Sequence, residues 1–98
     1  MRAEEYNSYF SENELLEIEA SIILMKSRLA AASLPRQPMT LIYERLDLMG
    51  LKARCSGRSE WKTLAMAAML TVMDNHDLSP EQRRFLWSVF RQTFPLAT

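Results

Sequence analysis

Proline and glycine occupy few positions in this chain of 98 residues, and this scarcity constrains the fold more than any other feature. There are only two glycines and four prolines, whereas a β-sheet protein of this size needs such residues at several tight turns. The prolines stand at Pro35, Pro38, Pro80 and Pro95, between long segments rather than inside them. Because proline ends helices and glycine weakens them, this distribution predicts long uninterrupted helices.

The first helix is predicted at residues 11–32. Ser11 and Glu14 have the spacing of a capping box, in which each side chain binds the backbone amide of the other residue. Apolar residues then recur at the spacing of one helix face: Leu15, Ile18, Ile22, Met25 and Leu29. A second row, Leu16, Ile23 and Ala30, has a regular spacing of its own. The helix is therefore expected to contact two neighbouring elements.

Two further helices are predicted at about residues 39–49 and 59–73. Gly50 is expected to end the earlier of them in a left-handed conformation, with Leu51 packed back on Leu46. The basic stretch that follows is interpreted as an exposed loop, and Ser59 is expected to cap the next helix.

The fourth helix, at about residues 80–94, has the clearest start signal. Ser79 and Gln82 form a second capping box, and Pro80 stands at the first helical position. Neither a repeat nor a long linker divides the sequence. We therefore predict a single all-α domain over residues 1–98, a small bundle of four helices that forms a dimer.

The third helix is the reason for predicting a dimer. Thr71 is the only polar residue from Leu64 to Met73, and a helix that is apolar on every side has to be buried on every side. Three short helices of the same chain are not expected to cover it, so a second subunit is expected to do so. The predicted dimer or partner interface is Trp61, Leu64, Ala65, Ala68, Met69, Val72 and Met73.

The sequence holds few residues suited to catalysis or metal binding. His76 is the only histidine, and the nearby Ser79 is explained by its capping role, so no hydrolytic triad is predicted. The run from Asp74 to Asp77 is interpreted as a polar turn, because adjacent turn residues rarely converge on one ion. Neither glycine has the spacing of a nucleotide-binding loop. We predict no enzymatic activity, no cofactor and no bound metal.

Charge is balanced over the chain, with twelve basic and twelve acidic residues, but not locally. Residues 1–19 carry six acids and one base, and residues 26–62 carry eight bases and three acids. The neutral total argues against nucleic-acid binding driven by overall charge. A helix-turn-helix is not predicted either, because the connection after Gly50 is long and the following helix is apolar. The residues that remain available for phosphate contacts are Lys52, Arg54, Arg58 and Lys62.

The sequence also bears on the cellular compartment. Cys55 is the only cysteine, which rules out an intrachain disulfide and favours a reducing environment. Its basic neighbours favour the thiolate, but an incidental surface thiol is the preferred interpretation. The first residues lack the apolar core of a signal peptide, and no apolar run approaches the roughly 18 residues that span a bilayer. We predict a cytoplasmic protein without a membrane segment.

Several short motifs resemble the start of the AriR (YmgB) family of small enterobacterial regulators of biofilm formation and acid resistance. They are Ser8-Tyr9-Phe10, Leu15-Leu16-Glu17 with Glu19, and Ile22-Ile23, continued by Ile42 and Leu46. The resemblance covers roughly residues 8–49. It implies an all-helical homodimer that acts as a connector in two-component signalling and leaves DNA contact open. The helix from Ser79 to Phe94 departs from the compact pattern of that family.

These features predict a small non-enzymatic regulatory protein that binds another, unidentified protein and forms a homodimer. Two alternatives remain open. One is a DNA-associated factor that contacts phosphates through the basic loop at residues 52–62. The other is a protein inhibitor encoded by a phage or plasmid, because small helical binders without active sites commonly serve in that way.

Overall fold

The computed structural model describes residues 8–32, 34–75 and 77–95. These residues form four α helices: α1 (Glu12–Ala30), α2 (Arg36–Ala53), α3 (Arg58–Met73) and α4 (Pro80–Thr93). The prediction of an all-α fold with four helices is confirmed. Within the described ranges there is no β strand, only an isolated antiparallel bridge between Tyr9 and Gly57. None of the four helices is both long and apolar enough to cross a bilayer.

Both predicted capping boxes are present. The Ser11 hydroxyl accepts a hydrogen bond from the Glu14 backbone N–H at 3.2 Å, and the Glu14 carboxylate accepts one from the Ser11 N–H at 3.0 Å. Ser79 and Gln82 make the same pair of bonds at 3.1 and 2.8 Å. These bonds satisfy amides that have no partner within the helix, and they explain why α1 and α4 begin where the sequence predicts.

The predicted end of the second helix at Gly50 is wrong. α2 begins three residues earlier than predicted and continues through Gly50 to Ala53, and neither glycine has a positive φ. Leu51 points outward instead of packing on Leu46. The glycine has another explanation, since a Cβ at this position would lie 3.0 Å from the Cδ1 of Ile22. The missing side chain lets α1 and α2 approach closely, at a helix-propensity cost of about 1 kcal/mol relative to alanine.

The connection between α2 and α3 is a turn at residues 54–57 rather than the longer loop predicted after Gly50. The length of this connection therefore does not argue against a helix-turn-helix, whereas the apolar character of α3 still does. Gly57 occupies the N-cap position without a side-chain hydrogen bond, and Ser59 lies inside α3. The predicted cap at Ser59 is therefore wrong.

The core lies between all four helices. α1 packs between α2 and α4, and α3 packs on α2 and less extensively on α4. The predicted inner row of α1 is buried at Ile18, Ile22, Met25 and Leu29. The largest side chains with almost no exposed surface come from every helix and from the residue after α4: Trp61, Phe90, Phe94, Ile18, Met25, Leu29, Ile42, Leu46, Met49, Met69, Leu86 and Val72.

Candidate protein-binding surface

Most of the predicted interface residues on α3 lie inside the core of their own chain. Those buried in this way are Trp61, Ala65, Ala68, Met69 and Val72. Leu64 and Met73 are half-buried. A side chain without exposed surface cannot also contact a second protein while the domain stays folded. The outward side of α3 carries mostly small and polar residues, among them Thr63, Ala67 and Thr71, together with one exposed leucine, Leu70.

Trp61 illustrates this difference from the prediction. Its indole Nε1 donates a hydrogen bond to the backbone carbonyl of Met49 at 2.9 Å. Its ring meets the Phe10 ring edge to face, with 5.3 Å between the centroids. Both contacts are internal to the chain, so Trp61 joins α2, α3 and the segment before α1 rather than presenting a surface to a partner.

The segment before α1 is fastened to the start of α3 by an arrangement that we call the N-terminal latch, formed by Ser8, Tyr9, Phe10 and Arg58. The Arg58 backbone N–H donates to the Ser8 carbonyl at 3.0 Å, and its Nε donates to the Ser8 hydroxyl at 3.0 Å. Its two terminal nitrogens bind both carboxylate oxygens of Glu14. The guanidinium also lies 5.2 Å from the centre of the Phe10 ring, within cation–π range.

The four residues predicted to contact phosphates have different environments. Arg54 forms an ion pair with Glu19, and Arg58 binds Glu14. Lys52 and Lys62 are exposed, the former on α2 and the latter on α3. A phosphate would have to compete with a carboxylate for each of the two arginines, so this group offers less positive charge than the sequence indicates. DNA contact through these residues stays a prediction.

The ion pair between Glu14 and Arg58 makes stability depend on pH. The Arg58 guanidinium, helped by the Ser11 N–H, lowers the pKa of Glu14 to about 2, from an ordinary value of 4.5. Because the folded-state pKa is the lower one, the stabilisation is present above pH 4.5 and is lost as the pH falls towards 2. The change in stability with pH that this ion pair causes is therefore confined to acidic solution.

Replacing Glu14 with glutamine should test this effect. We expect Glu14→Gln to reduce the free energy of unfolding by about 1–2 kcal/mol at neutral pH, because it removes a charge-assisted hydrogen bond that is partly exposed. The difference from wild type should shrink in urea titrations at about pH 3. Glu17→Gln, which changes an exposed carboxylate on the same helix, is the control. An undiminished difference at acidic pH would contradict the assignment.

The three most exposed aliphatic side chains among the described residues, Leu16, Ile23 and Leu51, define a different surface from the predicted one. We call the exposed row along α1 the α1 seam; its residues are Asn13, Leu16, Ala20, Ile23, Ser27 and Ala30. It lies on the side of α1 opposite the buried row. Leu16 is 62% exposed and Ile23 69% exposed. Such side chains gain free energy from being covered, so the α1 seam is the candidate binding surface.

The surface extends from the α1 seam onto α2. Leu51 is 69% exposed, and it lines with Ile23 and Gly50 an open groove of about 540 Å³ between the two helices. Charged residues border this groove, with Lys26 Nζ 2.6 Å from an Asp47 carboxylate oxygen. The other bordering pair is Glu19 with Arg54. An apolar centre with a polar rim is typical of protein interfaces.

A second groove, between α2 and α3, is lined by some residues of the predicted interface. It measures about 550 Å³ and is lined in part by Leu48, Leu64 and Ala68. Arg45 also lines it, and its buried Nε has no hydrogen-bond partner in the part of the chain that the structure describes. Its two leucines are half-buried, so covering this groove would bury less apolar surface than covering the α1 seam.

Residues suited to metal binding are not clustered in the structure. Among residues 8–32, 34–75 and 77–95, no group of three or more histidine, cysteine, aspartate or glutamate side chains could share an ion. His76 lies outside the described residues. Cys55 is exposed in the turn between α2 and α3. The predictions about catalysis, cofactors and the thiol stay untested.

The sequence contained a signal for this surface. Leu16 and Ile23 stand out as a separate apolar row, from which the sequence predicts contact with a second neighbouring element. Leu51 was assigned to a helix end. The signal was the regular heptad spacing of the α1 seam, on the side opposite the inner row.

Comparisons with known proteins do not extend this picture. No family model, curated protein or solved structure matches the chain. The resemblance of residues 8–49 to the AriR (YmgB) family therefore stays a prediction.

Proposed function

We propose that this chain is a cytoplasmic, non-enzymatic regulatory protein that acts by binding another protein, and that the α1 seam together with Leu51 is its binding surface. One observation carries the proposal. Leu16, Ile23 and Leu51 each expose more than 60% of their surface on two adjacent helices. Large aliphatic side chains grouped in this way typically mark an interaction site on a folded domain.

The surface fits an amphipathic helix better than a small ligand. The groove beside Ile23 is open along its length, and its apolar floor lies between two charged pairs. A helix laid along it would cover the leucine and isoleucine side chains, while polar residues on its flanks met the charges. Covering one exposed aliphatic side chain completely contributes about 1.5–3 kcal/mol, so a few such contacts dominate the binding energy.

Placing a charge in the surface should remove binding while leaving the fold intact. Ile23→Glu and Leu51→Glu change exposed positions, so we expect helical circular dichroism and the unfolding midpoint to stay near wild type. In affinity capture from cells of the native host, the amount of partner protein that each variant retains should be at least tenfold lower than the amount that the wild type retains.

The control is Leu70→Glu, which places the same charge at an exposed leucine on α3. It should retain the captured protein. Equal capture by wild type, Ile23→Glu and Leu51→Glu would show that the surface does not bind the partner. Failure of the wild type to retain any protein would contradict the proposed function itself.

A further inference from the structure

We infer that the partner fitted by the α1 seam is a second copy of this chain, with the two α1 helices packed antiparallel about a two-fold axis. The inference rests on the proposed function, because it names the partner of the same surface. It is carried by the heptad spacing of the α1 seam and by the order of large and small residues along it.

The spacing of the α1 seam matches a coiled-coil contact. Its residues stand at 13, 16, 20, 23, 27 and 30, steps that alternate between three and four. This is the heptad pattern with which two α helices keep the same face together along their length. All six positions are exposed. The pattern therefore continues over the whole helix, and no element within residues 8–32, 34–75 and 77–95 covers it.

The sizes of the seam residues favour an antiparallel pair. Large and small residues alternate through the middle of the seam, from Leu16 through Ala20 and Ile23 to Ser27. In an antiparallel pair Leu16 lies opposite Ser27 of the second copy, and Ile23 lies opposite its Ala20. Each of these middle layers then combines one large and one small side chain, so the helices keep an even separation there. In a parallel pair large residues would face large ones, and gaps would separate those layers.

The charges beside the seam do not decide the direction. Glu12, Glu19 and Lys26 lie on one flank of α1, and Glu17 lies on the other flank. A parallel pair brings Glu12 towards Glu17 of the second copy, where like charges repel. An antiparallel pair brings Glu12 towards Lys26 of the other copy, but it also brings Glu19 towards Glu19, and both Glu19 and Lys26 already form ion pairs within their own chain. The alternation of side-chain sizes is therefore what selects the antiparallel dimer.

The contact is expected to be modest in strength. α1 has 19 residues, which corresponds to a length of about 28 Å. A single pair of helices of that length buries an area at the lower end of specific interfaces. Leu51 lies beside Ile23 and adds some apolar area. We therefore expect a dissociation constant in the micromolar range.

Sedimentation equilibrium should show this dimer directly. Wild-type protein is expected to shift from monomer to dimer between about 1 and 500 µM. Ile23→Glu should stay monomeric over the same range with unchanged helical circular dichroism, and Leu70→Glu should dimerise like wild type. A wild-type protein that remains monomeric throughout would overturn the inference, as would dimerisation of Ile23→Glu at wild-type strength.

The direction of the helices can be read from cysteine cross-linking in a Cys55→Ser background. Asn13→Cys and Ala30→Cys change exposed seam positions near the two ends of α1. In an antiparallel pair residue 13 lies opposite residue 30 of the other copy. A mixture of the two variants, one carrying a size tag, should therefore form the mixed disulfide, whereas each variant alone should not cross-link. Efficient cross-linking of each variant with itself would indicate a parallel pair and overturn the inference.

The two proposals fail in distinguishable ways. A monomeric wild type whose captured partner is lost on Ile23→Glu would refute the second copy as partner and keep the binding function of the surface. An antiparallel dimer together with capture that Ile23→Glu leaves unchanged would keep the dimer and refute the seam as the surface for another protein.

Discussion

Replacing Trp61 with alanine is expected to lower the free energy of unfolding by about 3–5 kcal/mol, a large part of what a domain of this size possesses. The indole has no exposed surface. Alanine would leave a cavity beneath the Phe10 ring and would leave the buried carbonyl of Met49 without its hydrogen bond. The N-terminal latch would lose its apolar support in the same step.

Urea titration followed by circular dichroism measures this loss, and Trp87→Ala supplies the matched control. Trp87 is half-buried and packs against Phe90 with 5.8 Å between the ring centroids. Its removal should cost about 1–2 kcal/mol, because much of the side chain is already in contact with water. Equal losses for the two tryptophans would mean that Trp61 does not hold the central position that we assign to it.

A glutamate in place of Ala65 is expected to unfold the domain rather than to alter its association. Ala65 has no exposed surface and belongs to the apolar core, so the new carboxylate would be placed among apolar side chains. An uncompensated buried charge costs about 3–5 kcal/mol, and the larger side chain adds strain to a packed core.

Ala67→Glu is the control for this substitution, since Ala67 lies two residues further along the same helix and is exposed. It should change the free energy of unfolding by no more than about 0.5 kcal/mol. Thermal unfolding monitored by circular dichroism separates the two cases. A folded Ala65→Glu protein with wild-type stability would show that the inner face of α3 is not packed as the structure places it.

The helices could be predicted because their signals are local. Ser11 and Glu14, like Ser79 and Gln82, interact across a single helical turn, so the sequence shows both partners together. The inner row of α1 was visible for the same reason. The side of α1 that meets solvent could not be assigned, because an apolar row does not show whether a neighbour is available to cover it.

The remaining differences between the sequence predictions and the structure arise from contacts between segments that are distant in the sequence. Glu14 caps α1, as predicted, and its carboxylate also binds Arg58, which is 44 residues away. Gly50 resembles a helix end until the approach of Ile22 is known. Gly50 is needed where α1 and α2 cross, and α2 continues through it to Ala53. Sequence spacing contains no information about which segments meet in this way.

The N-terminal latch has a consequence for the order in which the chain folds. Ser8 and Arg58 are separated by 50 residues. Bringing such distant segments together costs conformational entropy before their contacts contribute any stabilising free energy. The contacts between α1 and α2 close a much shorter loop and are expected to form first. The latch then closes onto helices already in place, after the rate-limiting step. Its strength therefore governs how slowly the domain opens and has little influence on how fast it folds.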